Sequence, residues 1–252
     1  MTLAQIGLLL LTGLGSGLFA GILGIGGGTI LVPAMVSLQY TPVQAVATSS
    51  LAIVITSLSG SIQNWRMGYL DWRQVLSLGF PSLITAQLGV ELATSFSAEA
   101  LLNAFAVMLL ANIVLVNIRQ KIVPREGPPA TSPWLARLLT GGLAGLLAGL
   151  FGIGGGVVMV PLQMLLLGEP IKRAIQTSLG VIVLTALAAS LGHAGKGNLL
   201  PLVGGILGTG GLLGAQISTR FLPKLPVRVV NWTFNLFLLG LAIYTFWQAW
   251  HR

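Results

Sequence analysis

The sequence contains no cysteine, which excludes disulfides and thiolate metal sites. It also has little charge, with Asp, Glu, Lys and Arg making up 7% of the residues, against roughly 25% in a soluble domain. There is too little polar surface here to cover a water-soluble globule. Disorder is excluded too, because disordered chains are poor in apolar residues and here these reach 54%. Acids are scarcest: Asp71, Glu91, Glu99, Glu126 and Glu169 are the whole set. All lie at or beyond the ends of apolar blocks, which disfavours a cation pathway, since that would place carboxylates inside the spans. No Lys or Arg precedes Arg66, so a cleaved signal peptide is not expected. No GK[ST] follows the glycine runs and no strand–helix alternation surrounds them, which argues against a nucleotide-binding loop.

What remains is long apolar stretches and glycine. The mean hydropathy is +0.91, and 34 of 252 residues are glycine, as expected where helices pack closely in lipid. The net charge of +8 comes from basic residues scattered singly between apolar blocks. That pattern encodes orientation in a membrane rather than nucleic-acid binding. Four apolar blocks run over about 3–40, 43–63, 74–94 and 100–118, and four more over about 135–168, 174–195, 199–219 and 229–250. A span needs roughly 20 residues, so most blocks are single crossings. The composition therefore predicts an all-α polytopic membrane protein. It divides into a first repeat (1–118), a polar linker (119–133) and a second repeat (134–252).

The second set of blocks repeats the first. Gly21–Pro33 (GILGIGGGTILVP) aligns with Gly149–Pro161 (GLFGIGGGVVMVP) at an offset of 128, with eight of thirteen positions identical. Ser50-Leu51 matches Ser178-Leu179 at the same offset. After one inserted residue, Asn64 falls on His193, Gly68 on Gly197, Ala86-Gln87 on Ala215-Gln216, and Phe105 on Phe234. The chain is an internal duplication.

The opening block of each half is too long for one crossing. If each crosses once, the halves are parallel, with Arg66, Arg73, Arg119, Lys121, Arg125, Arg137, Lys196 and Arg252 inside and five basic residues outside. If each forms a tight hairpin, every half has five segments and the halves are inverted. Both termini then lie outside, and only Lys196 and Arg252 among the basic residues share that side. The positive-inside rule favours the second arrangement. We expect inverted repeats of four to five segments, each opened by a glycine-broken helical hairpin, eight to ten segments in all.

GIGGG occurs at 24–28 and at 152–156, each run followed by a proline, Pro33 or Pro161. Consecutive glycines disfavour helix by about 1 kcal/mol each relative to alanine, and a helix broken inside a membrane leaves N–H groups that protein, water or ligand must satisfy. Successive N–H groups at a glycine turn before a helix form an anion nest. Gly26, Gly27 and Gly28, with Gly154, Gly155 and Gly156, are thus candidate anion donors. The plainer reading is that these glycines only permit close packing.

The pattern GxGGGxxxVP, duplicated about 128 residues apart, resembles the sulfite exporter TauE/SafE family. It reads GIGGGTILVP from Gly24 to Pro33 and GIGGGVVMVP from Gly152 to Pro161. ATSSLAI (Ala47–Ile53) and IQTSLGV (Ile175–Val181) are similar to the family's TSL signature. The resemblance covers nearly the whole chain. It implies secondary transport of sulfur-containing anions such as sulfite, thiosulfate or organosulfonates, by import or export, across a bacterial inner membrane.

Other polar groups in the spans are few. Ser49, Ser50, Thr177 and Ser178 offer hydroxyls to an anion, or bond back to their own helices. Gln87 and Gln216 occupy matched positions, as substrate contacts or as interhelical glue. His193, matched by Asn64, is a candidate for coupling or gating. Gly192, Gly195 and Lys196 beside it point instead to an interfacial histidine at a span end. Lys196 is either an anion attractor or an interfacial anchor. The six tryptophans, Trp65, Trp72, Trp134, Trp232, Trp247 and Trp250, read as an interfacial belt. No cofactor, metal or nucleic-acid partner is expected. The partners are a small anion and the bilayer, with a homo-oligomer left open. Two alternatives stand beside the carrier. One is a permease or channel for another small anion. The other is an intramembrane serine hydrolase, built on Ser16 between Gly15 and Gly17 with His193 as base.

Overall fold

A computed structural model describes residues 3–122 and 133–250. Among these residues there are ten α-helices and no strand. The first half forms α1 (Leu3–Leu23), α2 (Gly28–Ser37), α3 (Pro42–Arg66), α4 (Trp72–Ser95) and α5 (Ala98–Ile122). The second forms α6 (Pro133–Phe151), α7 (Gly156–Leu166), α8 (Ile171–Gly195), α9 (Pro201–Phe221) and α10 (Val227–Trp250). Helix for helix, the second half repeats the first. Each opening block divides at its glycine run into a long helix and a short one, as the hairpin reading requires. The end of α5 enters the stretch read as linker; its remainder, 123–132, lies outside the described residues. Helices α1, α3, α4, α6, α8, α9 and α10 are long and apolar enough to cross a membrane.

Local chemistry sets the helix ends. Thr41 begins α3 with a capping box: its hydroxyl accepts from Gln44 N–H and the Gln44 side chain accepts from Thr41 N–H, with Pro42 at the first helical position. Asp71 caps α4 through Arg73 N–H and Gln74 N–H.

Helix direction follows from four contacts. Arg173, in the first turn of α8, lies 3.7 Å from Asp71 at the start of α4. The Lys172 ammonium donates to the Pro223 carbonyl, just past α9, at 2.8 Å. Lys196, after α8, pairs with Glu91 near the end of α4 at 2.6 Å. The Leu200 N–H, ahead of α9, donates to Thr48 Oγ1, early in α3, at 3.2 Å. Helices α4 and α8 therefore start at the end of the molecule where α3 and α9 finish. The third helices of the two halves run antiparallel, and so do the fourth.

The first helix of each half packs on the fourth helix of the other. A Cβ at Gly13 or Gly17 of α1 would lie 2.1 or 2.2 Å from the carbonyl oxygens of Leu207 and Gly211 in α9. One at Gly141, Gly145 or Gly149 of α6 would lie 2.2, 2.3 or 2.1 Å from those of Leu78, Ser82 and Ala86 in α4. Only glycine lets the backbones approach this closely. The result is two bundles, α1–α3–α9 and α6–α8–α4, with the fourth helices exchanged between halves.

Apolar side chains face outward as well as inward. Leu76, Phe80, Ile84 and Leu88 make an exposed apolar stripe on α4. The buried polar residues concentrate on α3 and α8, the two central helices. Trp65, Trp72, Trp134, Trp232 and Trp247 are exposed near helix ends, as an interfacial belt requires.

Candidate functional site

The two glycine runs meet at the middle of α3 and α8. Gly24, Gly26 and Gly27 hold φ of 67°, 73° and 86°, and Gly152, Gly154 and Gly155 repeat them at 64°, 72° and 81°. A side chain in this left-handed region costs roughly 1–2 kcal/mol per residue, so the turn requires glycine at these places. Gly27 and Gly155 are the N-caps of α2 and α7, without side-chain caps. The first N–H groups of these helices have no intrahelical acceptor and carry the positive end of the helix dipole.

The turns abut each other. A Cβ at Gly28 would lie 2.3 Å from the Gly152 carbonyl oxygen, and one at Gly156 would lie 2.1 Å from that of Gly24. Gly26 and Gly154 face the same two side chains. Their Cβ positions lie 3.1 and 2.7 Å from Ile182 Cγ2, and 3.1 and 3.0 Å from Ile53 Cγ2. All ten residues of the two runs are buried.

Serines fasten each turn to the opposite bundle. Ser49 Oγ donates to the Gly152 carbonyl at 2.9 Å, and Ser178 Oγ donates to the Gly24 carbonyl at 2.8 Å. This reciprocity corrects the register read from the sequence. Ser178 corresponds to Ser49, not Ser50, because α7 is one residue longer than α2 (11 against 10) and shifts everything after it. Ser50 bonds back to Val46 O of its own helix at 2.9 Å. Thr177 Oγ1 lies 3.5 Å from Gln74 Oε1, away from the turns.

Gln87 and Gln216 are placed as interhelical donors, reciprocally once more. Gln87 Nε2 donates to Ala188 O of α8 at 2.7 Å, and Gln216 Nε2 to Ser59 O of α3 at 3.1 Å. Each bond lies within one bundle. Asn64 Nδ2 reaches Gln176 O at 3.5 Å, from α3 across to α8. His193 stands in the last turn of α8, and its ring is wholly buried within the protein. Its Nε2 lies 3.1 Å from Gly149 O, just before the second turn, and its Nδ1 has no partner. Lys196 is occupied by Glu91 and Thr94.

Two residues at the turns were not singled out as turn-fastening from sequence. Thr185 Oγ1 donates to Gly154 O at 3.0 Å, and Ser16 Oγ donates to Gly27 O at 2.9 Å. A hydroxyl residue in mid-span opposite a glycine run is the signal that finds them. The pair on which the hydrolase alternative rested is not hydrogen-bonded together: Ser16 Oγ donates to Gly27 O, and His193 Nε2 faces Gly149 O. Among the described residues no group of three His, Cys, Asp or Glu could hold a metal.

Comparison with known proteins agrees with this architecture. The family described as Sulfite exporter TauE/SafE matches residues 9–245. The chain is 30% identical over 253 residues to the probable membrane transporter protein YunE of Bacillus subtilis (strain 168), covering 89% of this chain and 92% of that one. It is also 30% identical over 196 residues to the probable membrane transporter protein MJ0441 of Methanocaldococcus jannaschii, covering 74% and 71%. A probable membrane transporter protein of Haemophilus influenzae is 28% identical over 268 residues, covering 95% and 97%. Ten helices in two equivalent sets, a glycine turn at the heart of each, and a family match over nearly the whole length lead to one assignment: the chain belongs to the sulfite exporter TauE/SafE family of multi-pass membrane transporters.

Proposed function

We propose that the chain is a secondary carrier of small sulfur-containing anions, namely sulfite, thiosulfate or organosulfonates, working by alternating access between inverted halves. One observation carries the reading. Two uncapped helix N-termini, α2 and α7, abut through their glycine turns at the middle of the molecule. Helix N-termini attract anions through N–H groups and dipole together, and broken helices meeting at a repeat interface recur in transporters. A three-oxygen anion suits several neutral donors converging from two turns. The antiparallel course of α3 and α8, and of α4 and α9, supports inversion, and the clustering of basic residues at one end supports that end being cytoplasmic.

The turns are packed shut against each other, with Ser49 and Ser178 donating to their carbonyls. In this reading the described state is occluded. When the bundles part, the serine hydroxyls and the N–H groups of Gly26, Gly27, Gly28, Gly154, Gly155 and Gly156 become available to the anion. With no basic side chain at the turns, binding is modest, which suits release.

The test is flux into proteoliposomes of labelled sulfite, thiosulfate and a small sulfonate, with and without a pH gradient. Saturable flux of one, competed by the others, is the expected result. Gly26→Ala and Gly154→Ala are each expected to lower it about tenfold, equivalent to 1.4 kcal/mol of distortion at the turn. The added methyl meets isoleucine side chains and, at Gly26, the Ile153 carbonyl oxygen at 3.4 Å, so each variant is first checked for a folded size-exclusion profile. Gly27→Val is the harsher variant, because its Cβ would meet Ser16 Oγ at 2.1 Å. Full transport in both alanine variants, or no flux of any of the three from folded protein, overturns the proposal.

A further inference from the structure

The duplication breaks at the start of α8, and the break makes a second site. In the first half, Thr41 caps α3 with its hydroxyl. Its counterpart ahead of α8 is Pro170, which offers no side-chain cap, so the N–H groups of Ile171, Lys172 and Arg173 lack intrahelical acceptors. One turn further on, α3 carries Ala47 where α8 carries Gln176. These departures coincide at a cleft of about 500 Å³ lined by Tyr69, Leu70, Asp71, Lys172, Arg173 and Gln176, among others.

Gln176 is 6% exposed, it lines this cleft, and its side-chain amide makes no hydrogen bond within the described residues. A buried amide normally finds partners. Lys172 spends one proton on the Pro223 carbonyl and keeps two. Arg173 is held by Asp71 at 3.7 Å and by Glu169 at 3.4 Å, so it contributes field rather than a free fork. Arg66, Arg73, Arg137, Arg220, Lys224 and Arg228 stand at the same end, opposed by Asp71 and Glu169. A cleft in such a field concentrates anions.

We propose that this cleft is an anion-receiving site, separate from the glycine turns, in which the Gln176 amide, the Lys172 ammonium and the uncapped N–H groups of α8 hold a sulfonate- or phosphate-type head. The reading of that ligand as transported solute rests on the carrier function proposed above. The cleft is also linked to the central turns. The Gln176 carbonyl accepts from Asn64 of α3, and two residues along α8 Ser178 holds Gly24. Occupancy of the cleft therefore acts on the seam between α3 and α8.

The absence of native cysteine allows a direct test. In full-length Tyr69→Cys in phosphatidylcholine vesicles, a small thiol reagent should modify position 69, and methanesulfonate should slow the reaction. Half-protection is expected near about 1 mM, a binding free energy of about −4 kcal/mol. Adding Gln176→Leu or Lys172→Gln should raise the concentration needed at least fivefold. No protection in Tyr69→Cys, or undiminished protection in both double variants, overturns the proposal. Slowing that appears only when phosphatidylglycerol is included, with methanesulfonate inert, assigns the cleft to lipid phosphate and overturns the solute site. Flux measured in parallel separates the two readings. Protection without flux keeps the cleft and removes the carrier, whereas flux without protection does the reverse.

Discussion

His193 is the one titratable side chain buried at the described core, and its partner is the carbonyl of Gly149, one turn before the second glycine run. Asn64 holds the equivalent place in the first half, so any proton chemistry belongs to one half only. His193→Asn is the informative change, because an amide Nδ2 can keep a donor toward Gly149 while the titrating group is lost. Flux down a concentration gradient is expected to persist in that variant, and its response to a pH gradient to disappear. An unchanged pH response in proteoliposomes would remove His193 from any coupling role. The glutamines behave differently. Gln87 and Gln216 each join two helices of one bundle, and interhelical hydrogen bonds of this kind average about 0.6 kcal/mol, reaching about 1.7. Gln87→Leu should lower thermal stability in detergent slightly while leaving the flux KM within about twofold; a large KM change would make it a substrate contact instead.

At the scale of the element, the glycine stripes decide which helices meet. Gly17 of α1 has no room for a Cβ, which would lie 2.2 Å from Gly211 O, whereas Gly15 has nothing within 4 Å. Gly17→Ala is therefore expected to separate α1 from α9 and to reduce folded yield severely. Gly15→Ala should be neutral or slightly stabilising, since alanine favours helix by about 1 kcal/mol over glycine. Size-exclusion profiles of the two variants check the contrast. Much of this level was legible beforehand. The paired GIGGG runs revealed the duplication, and their helix-breaking chemistry divided each opening block where the helices do divide. The register of Ser178 was not legible, because the extra residue in α7 sits in a featureless apolar stretch. Nor was the choice of partner for α1. Gly13, Gly17 and Gly21 mark a face that needs a close neighbour, but a small face does not say which helix fills it. Burial of His193 was missed for the same reason, since proximity to a helix end says nothing of what packs outside that end.

At the scale of the molecule, the exchange of α4 and α9 means that the sequence halves and the packed bundles are different bodies. Bonds within the bundles are numerous: glycine interdigitation, both glutamines, and the Lys196–Glu91 pair that ties α8 to α4. Across the seam stand Ser49, Ser178, Asn64 and Lys172, each through one hydrogen bond to a backbone carbonyl. If the protein rocks, the seam is the cheaper place to open, and the moving units are α1–α3–α9 and α6–α8–α4 rather than residues before and after the linker. The cysteine-free chain allows this to be tested with two disulfides. Gly79 of α4 and Leu184 of α8 belong to one bundle, and a Cβ at Gly79 lies 3.8 Å from that of Leu184, the mean separation across a disulfide. Gly60 of α3 and Leu179 of α8 face each other across the seam, with the Gly60 Cβ position 3.2 Å from Leu179 Cδ1. Oxidation of Gly79→Cys with Leu184→Cys should leave flux unchanged, because it joins parts that move together. Oxidation of Gly60→Cys with Leu179→Cys should lower flux at least about tenfold, with recovery on reduction, because it adds a covalent link where the proposed rocking would open. Equal flux from both variants, with each disulfide shown to have formed by loss of free thiol, would show that the bundles do not move as units, and would return the motion to the short helices α2 and α7.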